Sequence, residues 1–143
     1  MKRRLALLTA AAAAAAATEV ARAQATSSAG KEHVVIQVST PDPKIWNQAL
    51  NYIENLRELY GADKVEIEIV ALGLGIGVLK LESVQGPRVA DALKEGVHIS
   101  ACMVTMKRQR LVREDMLPDI GFVPAGLGQI IKRQREGWAY ISG

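Results

Sequence analysis

One cysteine, Cys102, occurs in 143 residues. It stands where a parallel strand should run into a helix: Gly96-Val97-His98-Ile99-Ser100-Ala101-Cys102-Met103-Val104-Thr105-Met106. A lone thiol behind an export signal has no internal disulfide partner, so it is buried, paired between chains, or reactive. Ligands of open parallel sheets bind beyond the carboxyl ends of the strands. A helix beginning there would offer free N–H groups and a dipole that favour the thiolate, the reactive form. Free cysteine also fills cores as a small apolar residue. Position alone leaves both readings open.

The histidines argue by exclusion. His98 lies four residues before Cys102 on the same strand, roughly 13 Å away at the strand rise of about 3.3 Å per residue. A nucleophile and its base need hydrogen-bond reach. His33 opens the first strand, at the opposite end of the sheet. A cysteine–histidine dyad within one subunit is therefore not expected, and two distant histidines with one cysteine make no zinc site. Both histidines are expected to be structural.

Lys107, Arg108, Arg110 and Arg113 follow Cys102 closely. They could lower the thiol pKa and attract an anionic sulfur species. A solvated helix face is the commoner use of such a run, and Glu114 and Asp115 partly neutralise it. Lys107 is the exception expected from proximity. Gly73, Gly75 and Gly77 form a loop at the end of the second strand. It could be a backbone nest for an anion, or it could permit close packing at a subunit contact. Val78 stands where a dinucleotide fingerprint needs its third glycine, and the loop after the first strand has none. No carboxylate pair, Gly-x-Ser-x-Gly elbow or Walker loop is present.

These residues must be held by elements that the pattern outlines. His33–Val38 reads as a nearly all-apolar strand, as expected of one covered on both faces. Asp42-Pro43 starts a helix with an N-cap and a proline at its first position. Ile45, Ala49, Tyr52, Ile53, Leu56 and Leu59 follow at helical spacing, and Gly61 stops it. Val65–Leu72 is a second strand, with a short helix expected from Val78. A helix over 87–95 opens at Pro87 and closes at Gly96. Val97–Ala101 is the third strand, with a short helix after Cys102 reaching Arg110. Gly121–Val123 is a fourth strand, 125–136 a helix ended by Gly137, and Trp138–Ile141 a fifth strand. Strands alternating with helices predict an α/β protein with a mostly parallel sheet of about five strands.

The first residues read as a secretory signal over 1–23: Lys2, Arg3 and Arg4, an apolar run from Leu5 to Ala17, and the small-x-small site Ala21-Arg22-Ala23. The expected location is periplasmic. Ordinary export is preferred over the twin-arginine route, because no Ser or Thr precedes Arg3-Arg4. The apolar run is too short to cross a hydrocarbon core of about 30 Å as a helix. The expected divisions are therefore the signal, a flexible arm over 24–31 and a domain over 32–143. Removing the signal takes four basic residues and one acidic residue, so the mature chain carries equal numbers of each. No bulk attraction to nucleic acid is expected, nor any membrane association after processing. Roughly 120 residues suffice for one domain with one core. Leu72, Leu74, Ile76, Val78 and Leu79 crowd the glycine loop, which predicts a homo-oligomer burying them between subunits.

The domain resembles the DsrE/DsrF-like family of small sulfur-relay and sulfur-oxidation proteins, in a branch carrying export signals. The resemblance rests on Gly96-Val97, on Cys102 followed by Thr105-Met106, on Val123-Pro124-Ala125-Gly126, and on Gln134 through Gly137 with Tyr140-Ile141. It covers roughly residues 32 to 143. It implies a flavodoxin-like three-layer sandwich assembled as trimers or hexamers. It also implies that Cys102 is the sulfur carrier, passing sulfane sulfur as a persulfide between donor and acceptor proteins. Met103, Thr105, Lys107 and the glycine loop would then shape the substrate site, with no metal and no cofactor. Many relatives of this branch have Asn where this chain has Val104. The alternative from the residues alone is a non-enzymatic binding or assembly module in which Cys102 only packs.

Overall fold

The computed structural model describes residues 30–143. The expected signal over 1–23 and arm residues 24–29 lie outside the described residues. Five strands form one sheet: β1 (Glu32–Val38), β2 (Val65–Ala71), β3 (His98–Cys102), β4 (Gly121–Val123) and β5 (Ala139–Ser142). Their order is β4-β3-β2-β1-β5, and every neighbouring pair is parallel. The helices are α1 (Pro43–Tyr60), α2 (Gly86–Lys94), α3 (Met103–Arg108) and α4 (Gly126–Arg135). This is the flavodoxin-like three-layer sandwich, with its own strand order. Among the described residues no helix is long and apolar enough to cross a membrane.

Local chemistry explains where these elements begin. The Asp42 carboxylate accepts the Lys44 N–H at 2.9 Å and caps α1, while Pro43 presets the first turn. Gly61 leaves that helix at φ +98°, and its N–H satisfies the Arg57 carbonyl. Strand alternation then sorts side chains between two faces. Ile36, Ile69 and Ile99 join Ile53 of α1 and Val89 of α2 in the larger core. Val35 and Val70 point the other way, onto Ile130 of α4 and Trp138. Each fully buried aliphatic of this kind contributes about 1.5–3 kcal/mol.

The chain steps outward from β1 through β4 and then returns across the sheet to β5, on the far side of β1. Right-handed crossovers put α1 and α2 on one face and force α4, which runs the other way, onto the opposite face. Among the described residues, that second face is therefore covered by one ten-residue helix. It is locked there by a buried carboxylate. Glu68 on β2 accepts the Gln129 side-chain amide at 2.6 Å and pairs with the Arg133 guanidinium. Arg133 also reaches Glu136 at 3.0 Å and lies over the Trp138 ring.

Two segments differ from the sequence reading. No helix starts at Val78; a 3-10 helix instead runs over Gly73–Leu79, through the glycine loop itself. The loop's apolar residues are also mostly internal. Ile76, Val78 and Leu79 are buried within the chain, and only Leu74 is strongly exposed, at 65 %. The helix after Cys102 ends at Arg108, two residues short of the expected limit. Arg110 takes a left-handed conformation, φ +55°, which that helix cannot continue through.

Candidate functional site

Cys102 is the last residue of β3 and directly precedes α3. Its side chain points to the face covered by α4, beside Val123, its partner in the β4 register. The thiol is enclosed, with the residue only 5 % exposed. Its sulfur accepts the Gly126 backbone N–H at 3.1 Å. Gly126 is the first residue of α4, so the sulfur meets the start of two helices, α3 and α4.

That contact requires glycine. A Cβ on residue 126 would lie 3.1 Å from Cys102 Cβ, 3.2 Å from Leu72 Cβ and 3.4 Å from the sulfur. Burial is the largest influence on the thiol and pushes its pKa up. The Thr105 hydroxyl and the backbone N–H groups of Thr105, Gly126 and Val104 push it down. Together they win, and Cys102 sits below the ordinary thiol value. The arrangement favours the thiolate through hydrogen bonds.

Thr105 links two expected site segments. Its hydroxyl oxygen accepts the Gly73 N–H at 2.9 Å, and the Gly73 carbonyl accepts the Gln109 side-chain amide at 3.0 Å. The start of the glycine loop is thus tied to α3 beside Cys102, as the sequence reading grouped them. The same bonds count against an anion nest. Gly73 N–H is spent on Thr105, and Gly75 N–H on the Leu72 carbonyl. Gly75 and Gly77 answer instead to packing within the chain. A Cβ at Gly75 would fall 2.3 Å from the Val38 carbonyl oxygen, and one at Gly77 2.8 Å from the Trp46 ring.

Lys107 makes no hydrogen bond to the thiol among the described residues. It is exposed on α3, and the groups that shift Cys102 do not include it. Met103 and Val104 are half exposed at the same strand end. The histidines lie at the amino ends of the strands, where His33 Nε2 and His98 Nε2 stand 3.2 Å and 3.5 Å from the two oxygens of Glu66. Neither approaches Cys102. No metal-binding group of three or more ligating side chains occurs among the described residues.

Sequence reasoning missed Gly126 as a site residue. Its signal was present, since a small residue opening a helix directly after a strand marks a place of close approach. Which strand end it would approach depends on the crossover of α4, and spacing along the chain does not carry that information.

No family model matches the chain, and no curated protein matches it. Solved structures do. A protein of unknown function, MTH1491 from Methanobacterium thermoautotrophicum, is 32 % identical, with a TM-score of 0.70 over 79 % of this chain and 100 % of that one. BT1422 from Bacteroides thetaiotaomicron, also of unknown function, shares 16 % identity with a TM-score of 0.64, over 78 % of this chain and 95 % of its own. The ychN protein from E. coli shares 8 % identity with a TM-score of 0.63, over 79 % and 99 %. The latter two likenesses are of fold alone.

Proposed function

The chain belongs to the family of MTH1491, and from that premise we propose that it is a sulfur carrier that holds sulfane sulfur as a persulfide on Cys102. The observation that carries this reading is the hydrogen-bonded sulfur. A buried thiol should resist ionisation, yet Cys102 is lowered by Thr105, Val104 and Gly126. Those donors serve both halves of a relay. The Cys102 thiolate attacks the outer sulfur of a donor R–S–SH. A new S–S bond forms, the donor's S–S bond breaks, and R–S⁻ leaves with the electron pair. An acceptor thiolate then attacks the outer sulfur of Cys102–S–SH, and Cys102 leaves as the thiolate that the same N–H groups stabilise. A thiol of lowered pKa is the better leaving group in such exchange. With thiosulfate as donor, sulfite is the leaving group. The exchange needs no metal and no nucleotide.

The resemblance to the DsrE/DsrF-like family supports this reading and extends it. The carrier would work in the periplasm after export, as a homo-oligomer of three or six chains, between donor and acceptor proteins. Val104 occupies the place of the relatives' Asn, and here it contributes through its backbone N–H. Thr105 is the polar side chain at the sulfur, and Met103 is its exposed neighbour.

Intact-protein mass tests the proposal. Incubation with a polysulfide or thiosulfate donor should add one sulfur, removable by reductant and absent in Cys102→Ser. The enclosure of the thiol favours a second reading, an assembly or ligand-binding module in which Cys102 packs against Gly126 and Leu72. A thiol that alkylates only after denaturation establishes that reading instead.

A further inference from the structure

A second candidate site lies on the other side of the sheet from the sulfur. Beside α3 and the edge strand β4 is a cavity of about 470 Å³, lined chiefly by Met103, Met106, Val112 and Phe122, together with Lys107, Arg113 and Glu114. Its volume falls in the range of about 300–1,000 Å³ typical of small-molecule sites, and so does its make-up of apolar walls with a few charged groups. Phe122 packs with the larger core, whereas Cys102 faces Val123 and Gly126 across the strands. The cavity is therefore separate from the thiol, although Met103 adjoins both.

The charges on its wall are not spent internally. Among the described residues, Lys107, Arg113 and Glu114 form no ion pair. Two cations against one carboxylate leave a net positive wall. Arg113 is also held in place: its guanidinium lies 4.3 Å from the centre of the Phe122 ring. A guanidinium stacked on an aromatic is pre-organised, so less entropy is lost when it pairs with an anion. Met103 and Met106 supply walls that adapt to irregular apolar shapes.

We propose that this cavity binds a small amphipathic organic anion, its apolar body against Met103, Met106, Val112 and Phe122 and its acidic head on Lys107 and Arg113. The site does not depend on sulfur chemistry at Cys102, so Cys102→Ser should bind the ligand unchanged. Two of the four methionines, Met103 and Met106, line the cavity, and Met116 is buried and not part of its wall. Full-length protein labelled with ¹³C at the methionine methyls is titrated with octanesulfonate below its micellar concentration, and separately with 1-octanol. The Met103 and Met106 methyls should shift saturably with the sulfonate while Met116 stays still. The alcohol should bind at least about fivefold more weakly, because it lacks the charge that Lys107 and Arg113 recognise. The double variant Lys107→Gln/Arg113→Gln alters only exposed side chains, and should bring the sulfonate down to the level of the alcohol. Equal binding of the two ligands overturns the proposal, as does a double variant that binds the sulfonate like the parent. Methyl shifts that change on protein dilution without ligand also overturn it, because a second copy of the chain would then fill the cavity.

Discussion

Gly126 sets the state of the sulfur more directly than any charged residue does. Its N–H is a hydrogen-bond donor to Cys102, and its missing side chain lets α4 approach. Gly126→Ala is expected to push the helix start away and lose that bond. Overpacking of this kind costs about 1–3 kcal/mol, readable as a lower urea midpoint. Alkylation of the folded protein should then need higher pH. Thr105→Val removes the hydroxyl that lowers the thiol and leaves the Gly73 N–H without its acceptor, at about 1–3 kcal/mol. Its alkylation profile should also move to higher pH. In the parent, the profile should bend below that of a free cysteine, with the rate lost as pH falls through the lowered pKa. The sign for stability is the same. A thiol depressed in the folded state adds stability above its unfolded pKa and loses it as pH falls through the folded one. Lys107→Ala should leave the profile unmoved; a clear shift would restore the role that proximity alone suggested for it.

At the scale of elements, α4 depends on one buried pair. Glu68 is almost wholly enclosed, and Gln129 and Arg133 are its partners. Arg133→Met should destabilise the fold by about 3–5 kcal/mol, because it strands a carboxylate inside. Replacing Glu68 by Leu in the same chain should recover much of that loss, measurable as a double-mutant cycle in urea. The helices and strands around this pair were legible in the sequence because their signals are local. Asp42-Pro43 opens α1, Gly61 closes it, and the apolar run at Val34–Ile36 demands cover on both faces. The 3-10 helix over Gly73–Leu79 was not legible. Its glycines answer to the backbone of Val38 and to the Trp46 ring, contacts made across the fold. The chemistry at Cys102 was half legible. The strand-to-helix position predicted N–H donors, but the donor from Gly126 lies 24 residues further along the chain, beyond β4. The expectation for Lys107 rested on proximity in sequence, which says nothing of the direction a side chain takes from a short helix.

For the molecule as a whole, the sandwich is unequal. Among the described residues, α1, α2 and α3 attend one face, and α4 alone attends the other. Leu127 and Ile131, one turn apart on α4, are 61 % and 49 % exposed, and Tyr140 of β5 is 42 % exposed. These residues, together with Leu59, Leu74, Leu81 and Val84 elsewhere on the surface, are exposed apolar groups that support the proposed homo-oligomer. Light scattering at micromolar concentration should give a multiple of the chain mass, and Leu127→Asp/Ile131→Asp should reduce it. A parent protein that scatters as a monomer would refute the assembly. The thin cover also bears on time. Because Cys102 is enclosed by the first turn of α4, a reagent meets the sulfur during the intervals when that turn is lifted. Labelling then proceeds at the opening equilibrium multiplied by the intrinsic rate of the thiolate. Amide exchange at Gly126 should run in step with it, and low urea should quicken both long before the sheet melts.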